Sequence, residues 1–394
     1  MAQMLSCPYC YEKFTERQIL FRCSSRRSPA NRRCELEIDK ILADRTGVAR
    51  ELGPVFQADG RKATAVHQVC QAETTHRVCP VCHSRLPAQF GMVGSRMIAM
   101  VGARASGKTV YMTVLLHELR HRVGERFGAA IMGADDETRK RFVDTYEEPL
   151  YDGKLPPPTQ RANAQRAGLV APLVFRFAAP SGGLRPSRLG HTLLSFFDTA
   201  GEDFNQQESL EVNTRYLRTA DGILLLLDPT QMPGARTFAS PGTARHNDEG
   251  PRPETPANIL SRVTEILLDG KRSTAKISKP MAAVFTKLDT VWGSLDQASP
   301  LHDHPPEGSR FDTADCLNVH EEIRHLLREW DGAEIGQVLD THYSRYRFFG
   351  VSALGHPPTA ANKVAPTGIQ PYRTADPLLW MLSEFGAIPR TGKG

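Results

Sequence analysis

A doubly wound α/β domain with a mostly parallel sheet, preceded by a small cysteine-rich module, is the architecture this 394-residue sequence predicts. Three observations carry that reading. From about residue 96 onward, strand-sized apolar runs alternate with segments of helical periodicity, the pattern of a parallel sheet covered by helices on both faces. A glycine-rich stretch ending in Gly-Lys-Thr sits between the first such run and the first such helix. Seven of the eight cysteines lie before residue 83, so the front of the chain follows a different plan.

The elements follow in order. Residues 96–101 (RMIAMV) are a short apolar run between turn signals, hence a buried strand. They lead into GARASGKT, residues 102–109, and then a helical pattern carrying Val110, Val114, Leu115 and Leu119. Further strands are expected at 173–177, 192–198, 222–228, 281–286 and 347–351, several of them near-continuous apolar runs suited to a sheet buried on both faces. Helices are expected around 135–150, 203–219, 256–269, 314–330 and 374–385. The boundaries are therefore 1–95 for the front module and 96–390 for the α/β domain. Insertions fall near 124–168, 229–256 and 291–345, the last holding one helix with polar flanks. Residues 180–190 and 229–256 are rich in turn-forming and polar residues, and the second is expected to be partly disordered.

Apolar content of 40% and charged content of 24% are ordinary for a soluble globular chain. No apolar run approaches the roughly 20 residues of a membrane span. The first residues, MAQMLSCPYC, lack the charged start and apolar stretch of a secretory signal, so a cytoplasmic protein is expected. Residues 1–96 hold 15 Lys/Arg against 9 Asp/Glu, which places the whole net charge of +5 in the front module. Arg22, Arg26, Arg27, Arg32 and Arg33 dominate it. They suit either a solvated basic loop or an acidic partner such as nucleic acid.

Gly102, Ala103, Arg104, Ala105, Ser106, Gly107, Lys108 and Thr109 match the phosphate-binding loop G-x-x-x-x-G-K-[ST] in full, in the strand–loop–helix context it requires. Its backbone N–H groups, through Val110 at the helix start, can turn toward phosphate oxygens, and the helix dipole favours the anion. Lys108 is expected to reach the β- and γ-phosphates and Thr109 to ligate Mg²⁺. Downstream, Phe-Phe-Asp198-Thr-Ala-Gly201-Glu202 closes a buried strand with a carboxylate that can hold Mg²⁺ through water. Gly201 can offer its N–H to a γ-phosphate. Thr286-Lys287-Leu288-Asp289 ends another strand, where the Asp289 carboxylate can accept both N1–H and N2–H of guanine and the Lys287 stem can lie across the base. Adenine lacks that donor pair, and a site built for it rejects the isostere strongly. Ser352-Ala353-Leu354 follows a third strand, with backbone N–H groups able to meet guanine O6.

These four motifs, GARASGKT, DTAG, TKLD and SAL, occur in the order of the translation-factor-like and Ras-like (TRAFAC) class of P-loop GTPases, which residues 96–385 resemble. The resemblance implies hydrolysis of GTP to GDP and loops that rearrange when the γ-phosphate is lost. The 90 positions between Lys108 and Asp198 imply an expanded first switch region. Within it, Thr159 is the choice for the switch threonine and Thr145 the competitor. Glu202 stands where Ras-like members commonly carry a water-orienting glutamine, which implies slow intrinsic turnover. Arg104, inside the loop, faces either transition-state charge or solvent.

In the front module Cys7-Pro-Tyr-Cys10 and Cys79-Pro-Val-Cys82 are two knuckles of the kind that offer paired thiolates to tetrahedral zinc. The preferred partition is two Zn²⁺ ions, one on Cys7, Cys10, Cys23 and Cys34 and one on His67, Cys70, Cys79 and Cys82. A single site on Cys7, Cys10, Cys79 and Cys82 is the alternative, with His76 and His83 as spare ligands. Few apolar runs occur in residues 1–90, so the module is expected to fold on metal while the α/β core stands on its own sheet. A cysteine-rich front fused to such a domain resembles the bacterial double-GTPase group of predicted conflict-system proteins. That resemblance implies a second GTPase or a regulator as partner. The expected function is a GTP-hydrolysing switch whose zinc module docks that partner. The alternatives are a GTP-binding scaffold with little turnover and a zinc-dependent nucleic-acid binder with an auxiliary P-loop. An ATPase is disfavoured by Asp289.

Overall fold

A computed structural model describes residues 4–26, 31–103, 105–156, 172–180, 189–198, 214–238, 255–269, 276–359 and 363–392. Its centre is a seven-stranded sheet: β1 (Gly94–Gly102), β2 (Ala130–Gly133), β3 (Leu173–Pro180), β4 (Leu189–Asp198), β5 (Gly222–Leu227), β6 (Met281–Phe285) and β7 (Tyr346–Gly350). The order is β2-β3-β4-β1-β5-β6-β7. The run from β4 to β7 is parallel, and β2 and β3 add an antiparallel edge. Registers Met100↔Asp198, Gly102↔Leu226, Leu227↔Phe285 and Phe285↔Gly350 bring the C-terminal ends of the parallel strands to one edge. The P-loop, T-K-x-D and S-A-L segments leave the sheet there, and β4 ends there at Asp198.

Alternate strand residues face opposite layers, as the period of two requires. On one face Ala99, Val101, Leu225, Ala283 and Phe285 pack under α3 (Pro256–Leu268), α4 (Thr313–Glu329) and α5 (Ala333–His342), after α1 (Lys108–Glu118) and α2 (Asp136–Arg141) in the chain. On the other, Ile98, Met100, Leu224, Leu226 and Val284 meet Leu115 and Leu116 of α1 and Leu378, Leu379 and Met381 of α6 (Asp376–Glu384). The doubly wound prediction holds, and so do the six expected strands to within a few residues.

Of the elements that escaped the sequence reading, two belong to the sheet's layers. Strand β2 is short and only its Ile131 is buried, so no periodicity announces it. Helix α5 falls inside a segment given a single helix, yet its Ile335 and Leu339 are core residues.

The front module is built from short antiparallel pairs: Met4–Ser6 with Lys13–Thr15, Glu37–Ile38 with Glu51–Leu52, and Ala65–Val66 with Glu73–Thr74. A three-stranded sheet sets Leu20–Arg22 between Val55–Gln57 and Arg77–Val78. The module packs directly on the α/β domain. Tyr11 is buried within the α/β domain's own cluster, and Leu193 of β4 joins Leu5, Cys7, Phe14, Cys79, Cys82 and Phe90 of the module.

Candidate functional site

The P-loop is shaped by its closest approaches. A Cβ on Gly102 would lie 2.5 Å from the Leu226 carbonyl oxygen and 2.7 Å from Ser106 Oγ, so only glycine lets the loop leave β1 against β5. Ala105 (φ 61°) and Gly107 (φ 81°) take left-handed conformations, the backbone pattern of an anion-binding concavity. Lys108 Nζ lies inside the loop, donating to the Gly102 and Ala103 carbonyls at 2.9 and 2.8 Å. Ser106 Oγ is buried and, among the described residues, has no hydrogen-bond partner, which suits a loop made to receive a polar ligand. Thr109 and Val110 are half-buried in the first turn of α1. Arg104, Thr159, Gly201 and Glu202 lie outside the described residues, and Asp198 is placed by its backbone, opposite Met100 of β1. Thr145 lies within the helical segment Phe142–Glu147.

The T-K-x-D segment is wired into this loop. Thr286 Oγ1 donates to Ser106 O at 2.9 Å and its N–H to Leu227 O at 2.8 Å, so its first role is to brace the P-loop against β5. Lys287 takes a left-handed conformation (φ 53°) and its stem passes 3.9 Å from where a Gly107 Cβ would stand. Its amine pairs with Asp228 Oδ2 at 2.7 Å. Asp228 is wholly buried and also accepts from Thr230 N–H and Oγ1. The sequence reading missed it, although an aspartate closing the apolar run GILLLL was the available signal.

Asp289 accepts from Ser352 Oγ, which in turn accepts from Gly355 N–H at 2.9 Å. Burial pushes the Asp289 carboxyl above its ordinary range, opposed by the Ser352 hydroxyl and Lys287. The strand-like residue Tyr372 holds Ser352 through N–H···O bonds in both directions, and Gln370 N–H bonds Leu354 O. Ser352 is thus brought beside Asp289 through its side chain, and Leu354 follows two residues on, tied to Gln370.

The eight expected zinc ligands do form two clusters, but not the expected ones. Cys7, Cys10, Cys79 and Cys82 make one, and Cys23, Cys34, His67 and Cys70 the other. The reason is strand pairing. Leu20↔Val78 zips the chain after the first knuckle against the chain before the second, closing an outer site around an inner one. Sγ atoms stand 3.8 Å apart in the Cys7–Cys82 and Cys10–Cys79 pairs. That matches the roughly 3.8 Å edge of a tetrahedron with Zn–S of about 2.3 Å, and is far from a disulfide. In the inner cluster His67 Nδ1 faces Cys34 and Cys70 sulfurs at 3.3 and 3.4 Å. Tyr11, Gln71 and His83, each the residue after a knuckle's last cysteine, all have positive φ, so three knuckles share one turn geometry. The donor chemistry and spacing fit zinc at both places.

Arg22, counted in the basic set, is not surface charge: it is buried and paired with Asp39, which also meets His83. Arg26, Arg32 and Arg33 are exposed, and Arg27 lies outside the described residues. His76 and His83 belong to neither cysteine cluster. A third group of metal-type ligands, His117, His121 and Glu147, is an ion network joining α1 to residues 142–147. Glu147 already bonds His117 at 2.8 Å and Arg120 at 2.7 Å. No described helix is long and apolar enough to cross a membrane.

Comparison with known proteins agrees with this geometry. Residues 96–299, half of the chain, match the family described as Double-GTPase 2. A protein of Mycolicibacterium smegmatis, provisionally named the ESX-1 scaffolding and assembly protein SaeC, is 28% identical over 98% of this chain and 100% of its own length. Among solved structures, the GTP-bound GTPase-like domain of Saccharomyces cerevisiae Ski7 is 14% identical (TM-score 0.31), covering 75% of this chain and 50% of that one. This chain therefore spans about half the Ski7 chain it matches. Trypanosoma brucei Arl6 (11%, TM-score 0.28, 74% and 98% covered) and Aquifex aeolicus Era (11%, 0.29, 76% and 59%) are similar at the same level.

Proposed function

Because the chain belongs to the Double-GTPase 2 family, whose GTP-binding fold residues 96–299 supply, we propose that it is a GTP-hydrolysing switch that helps assemble a protein complex through its zinc module. The observation that carries the reading is the Asp289–Ser352 pair, a half-buried carboxylate two residues beyond Lys287, held by a hydroxyl that is itself fixed by Gly355. That is the recognition element a guanine edge requires. Lys108 serves the β- and γ-phosphates. Thr109 and Asp198 would hold Mg²⁺, which would supply neutralisation of phosphate charge. Gly201 N–H receives the γ-phosphate, and Glu202 orients the attacking water. Water oxygen bonds to the γ-phosphorus as its proton passes to a phosphate oxygen, the bond to the β–γ bridging oxygen breaks with its electron pair kept by GDP, and GDP and phosphate leave. Thr159 is the proposed switch threonine.

Two features support docking by the module. Zinc at both cysteine clusters makes it a rigid platform. Most of the exposed large apolar side chains among the described residues lie on it, including Leu36, Ile38, Ile41, Val48 and Val69. The name of the Mycolicibacterium relative moves the proposed setting from a defence system toward assembly. The same name favours the runner-up, a GTP-binding scaffold with little turnover. Phosphate release under single- and multiple-turnover conditions, with and without candidate partner proteins, separates the two. Stoichiometric GTP binding without release in any condition selects the scaffold, and absence of GTP binding rejects both.

A further inference from the structure

Ser352, whose hydroxyl holds Asp289, is itself gripped by three consecutive residues from later in the chain. Ser352 N–H donates to Tyr372 O at 3.1 Å, and Tyr372 N–H returns a bond to Ser352 O at 2.8 Å. Thr374 Oγ1 donates to the same Ser352 carbonyl at 3.2 Å. Between the two, Arg373 takes a left-handed conformation (φ 49°), which a bulky side chain keeps only where its surroundings enforce it. Those surroundings are enclosed and polar. The Arg373 side chain is 1% exposed and donates to both Asp315 carboxylate oxygens at 2.7 and 2.8 Å, to Asp376 Oδ2 at 3.0 Å and to Asp303 O at 3.1 Å. Asp315 lies on α4 and Asp376 opens α6, so one side chain spans two helices. Tyr372 makes a second attachment, on the T-K-x-D side. Its hydroxyl donates to the Leu301 and Asp303 carbonyls, and its ring meets Trp292, three residues after Asp289, edge-on at 4.7 Å.

We propose that residues 372–374 form a strap that sets guanine specificity, with Arg373 as its positioning residue: the Arg373–Asp315–Asp376 network fixes Ser352, and through its hydroxyl the Asp289 carboxylate, where the base edge meets it. The inference rests on the guanine-nucleotide reading above. Desolvating an arginine and two carboxylates is costly, and such a network is a poor device for stability alone. Strained backbone persists where the surroundings over-determine it, and ligand clamps are among the places it gathers. A recognition group must be held within about 0.5 Å of its productive position, by neighbours that are themselves locked. Asp289 is held by Ser352, and Ser352 by a strap that is pinned at Arg373 and again at the Tyr372 hydroxyl. Asp289 serves the base rather than the phosphates, so a loosened strap weakens base recognition and spares the contacts of the P-loop.

The experiment uses the full chain. Affinities for GTP, ITP and ATP are measured by displacement of a fluorescent GDP from wild type, Asp315→Asn and Tyr372→Phe. ITP lacks only the 2-amino group of GTP, so the ITP-to-GTP ratio of dissociation constants reads one bond to Asp289, while ATP reads the phosphate contacts. Asp315→Asn leaves Arg373 its Asp376 partner. Tyr372→Phe removes the bonds to Leu301 and Asp303 and keeps a ring against Trp292. In each variant the ratio should fall about threefold or more from a wild-type value of about tenfold or more, with ATP affinity within about twofold of wild type. A merely structural role would weaken all three nucleotides together. A ratio unchanged in either variant, or an equal loss of all three nucleotides through misfolding, overturns the inference while the guanine-nucleotide reading stands. Wild-type affinities for GTP, ITP and ATP within about threefold of one another overturn both.

Discussion

Replacing Asp289 by asparagine tests the nucleotide site at its most specific point. In the wild type the carboxylate offers two acceptor oxygens to the two N–H donors of guanine, and charge-assisted bonds of this kind contribute roughly 1.5–3 kcal/mol each. Asparagine keeps one acceptor and turns an amide donor against the remaining N–H. The net loss is about 3 kcal/mol, on the order of a hundredfold in GTP affinity. Xanthine, which presents an oxygen where guanine has its amino group, should bind the variant better than guanine does. Ser352→Ala is the graded companion. It strips Asp289 and the Gly355 N–H of their shared hydroxyl, with an expected loss of about 1 kcal/mol. Because burial already pushes the Asp289 carboxyl up and Ser352 opposes that push, the alanine variant should lose GTP affinity at a higher pH than wild type on acidification. Equilibrium displacement of a fluorescent GDP by GTP, ATP and XTP reads all of these values. Wild-type affinities for GTP and ATP within threefold of each other, or an Asp289→Asn protein that still prefers GTP to XTP, would refute the assignment.

Two further outcomes are expected. The double variant Cys7→Ser/Cys79→Ser should retain one of two zinc ions by elemental analysis, because both residues belong to the outer cluster; a pairing in sequence order would leave none. His320 accepts the Phe348 N–H on Nδ1, and burial together with Arg347 and Arg324 pushes its pKa down to about 4. Its unfolded-state value is about 6.5, so the unfolded chain takes up the proton first, and stability present above pH 6.5 is lost as pH falls toward 4, by about 3 kcal/mol in all. Urea unfolding of wild type and His320→Gln across that range should give a steeper pH dependence for wild type, and parallel curves would refute the assignment.

What the sequence made legible was whatever depends on local pattern. Apolar runs such as MAAVF and GILLLL announced β6 and β5, and GARASGKT announced its own strand, loop and helix. The paired candidate ligands Cys7/Cys10, His67/Cys70 and Cys79/Cys82 were equally local, since their spacing is written in neighbouring residues. Their partition was not, because it depends on Leu20 finding Val78, a pairing that no short window contains. Asp228 was invisible for the same reason: its meaning lies in Lys287, which sits one strand away in space and much farther along the chain. Strand β2 had too few buried residues to show a period. Tyr11 went unread for the same reason as Asp228, since its burial in the core of the α/β domain leaves no mark on the residues around it.

Enclosing one cysteine cluster inside the other fixes an order of events during synthesis. The inner set is complete once Cys70 has left the ribosome, whereas Cys7 and Cys10 must wait for Cys82. Tyr11 waits longer still, for Tyr216. Chains emerge at roughly 5–20 residues per second and domains consolidate as they appear, so the very first residues made are among the last to reach their final surroundings. Through that interval the first knuckle presents two unligated thiols and an unpacked ring to its surroundings. A shortage of zinc would therefore be met first at the inner set and only then at the first knuckle, both before the nucleotide pocket exists.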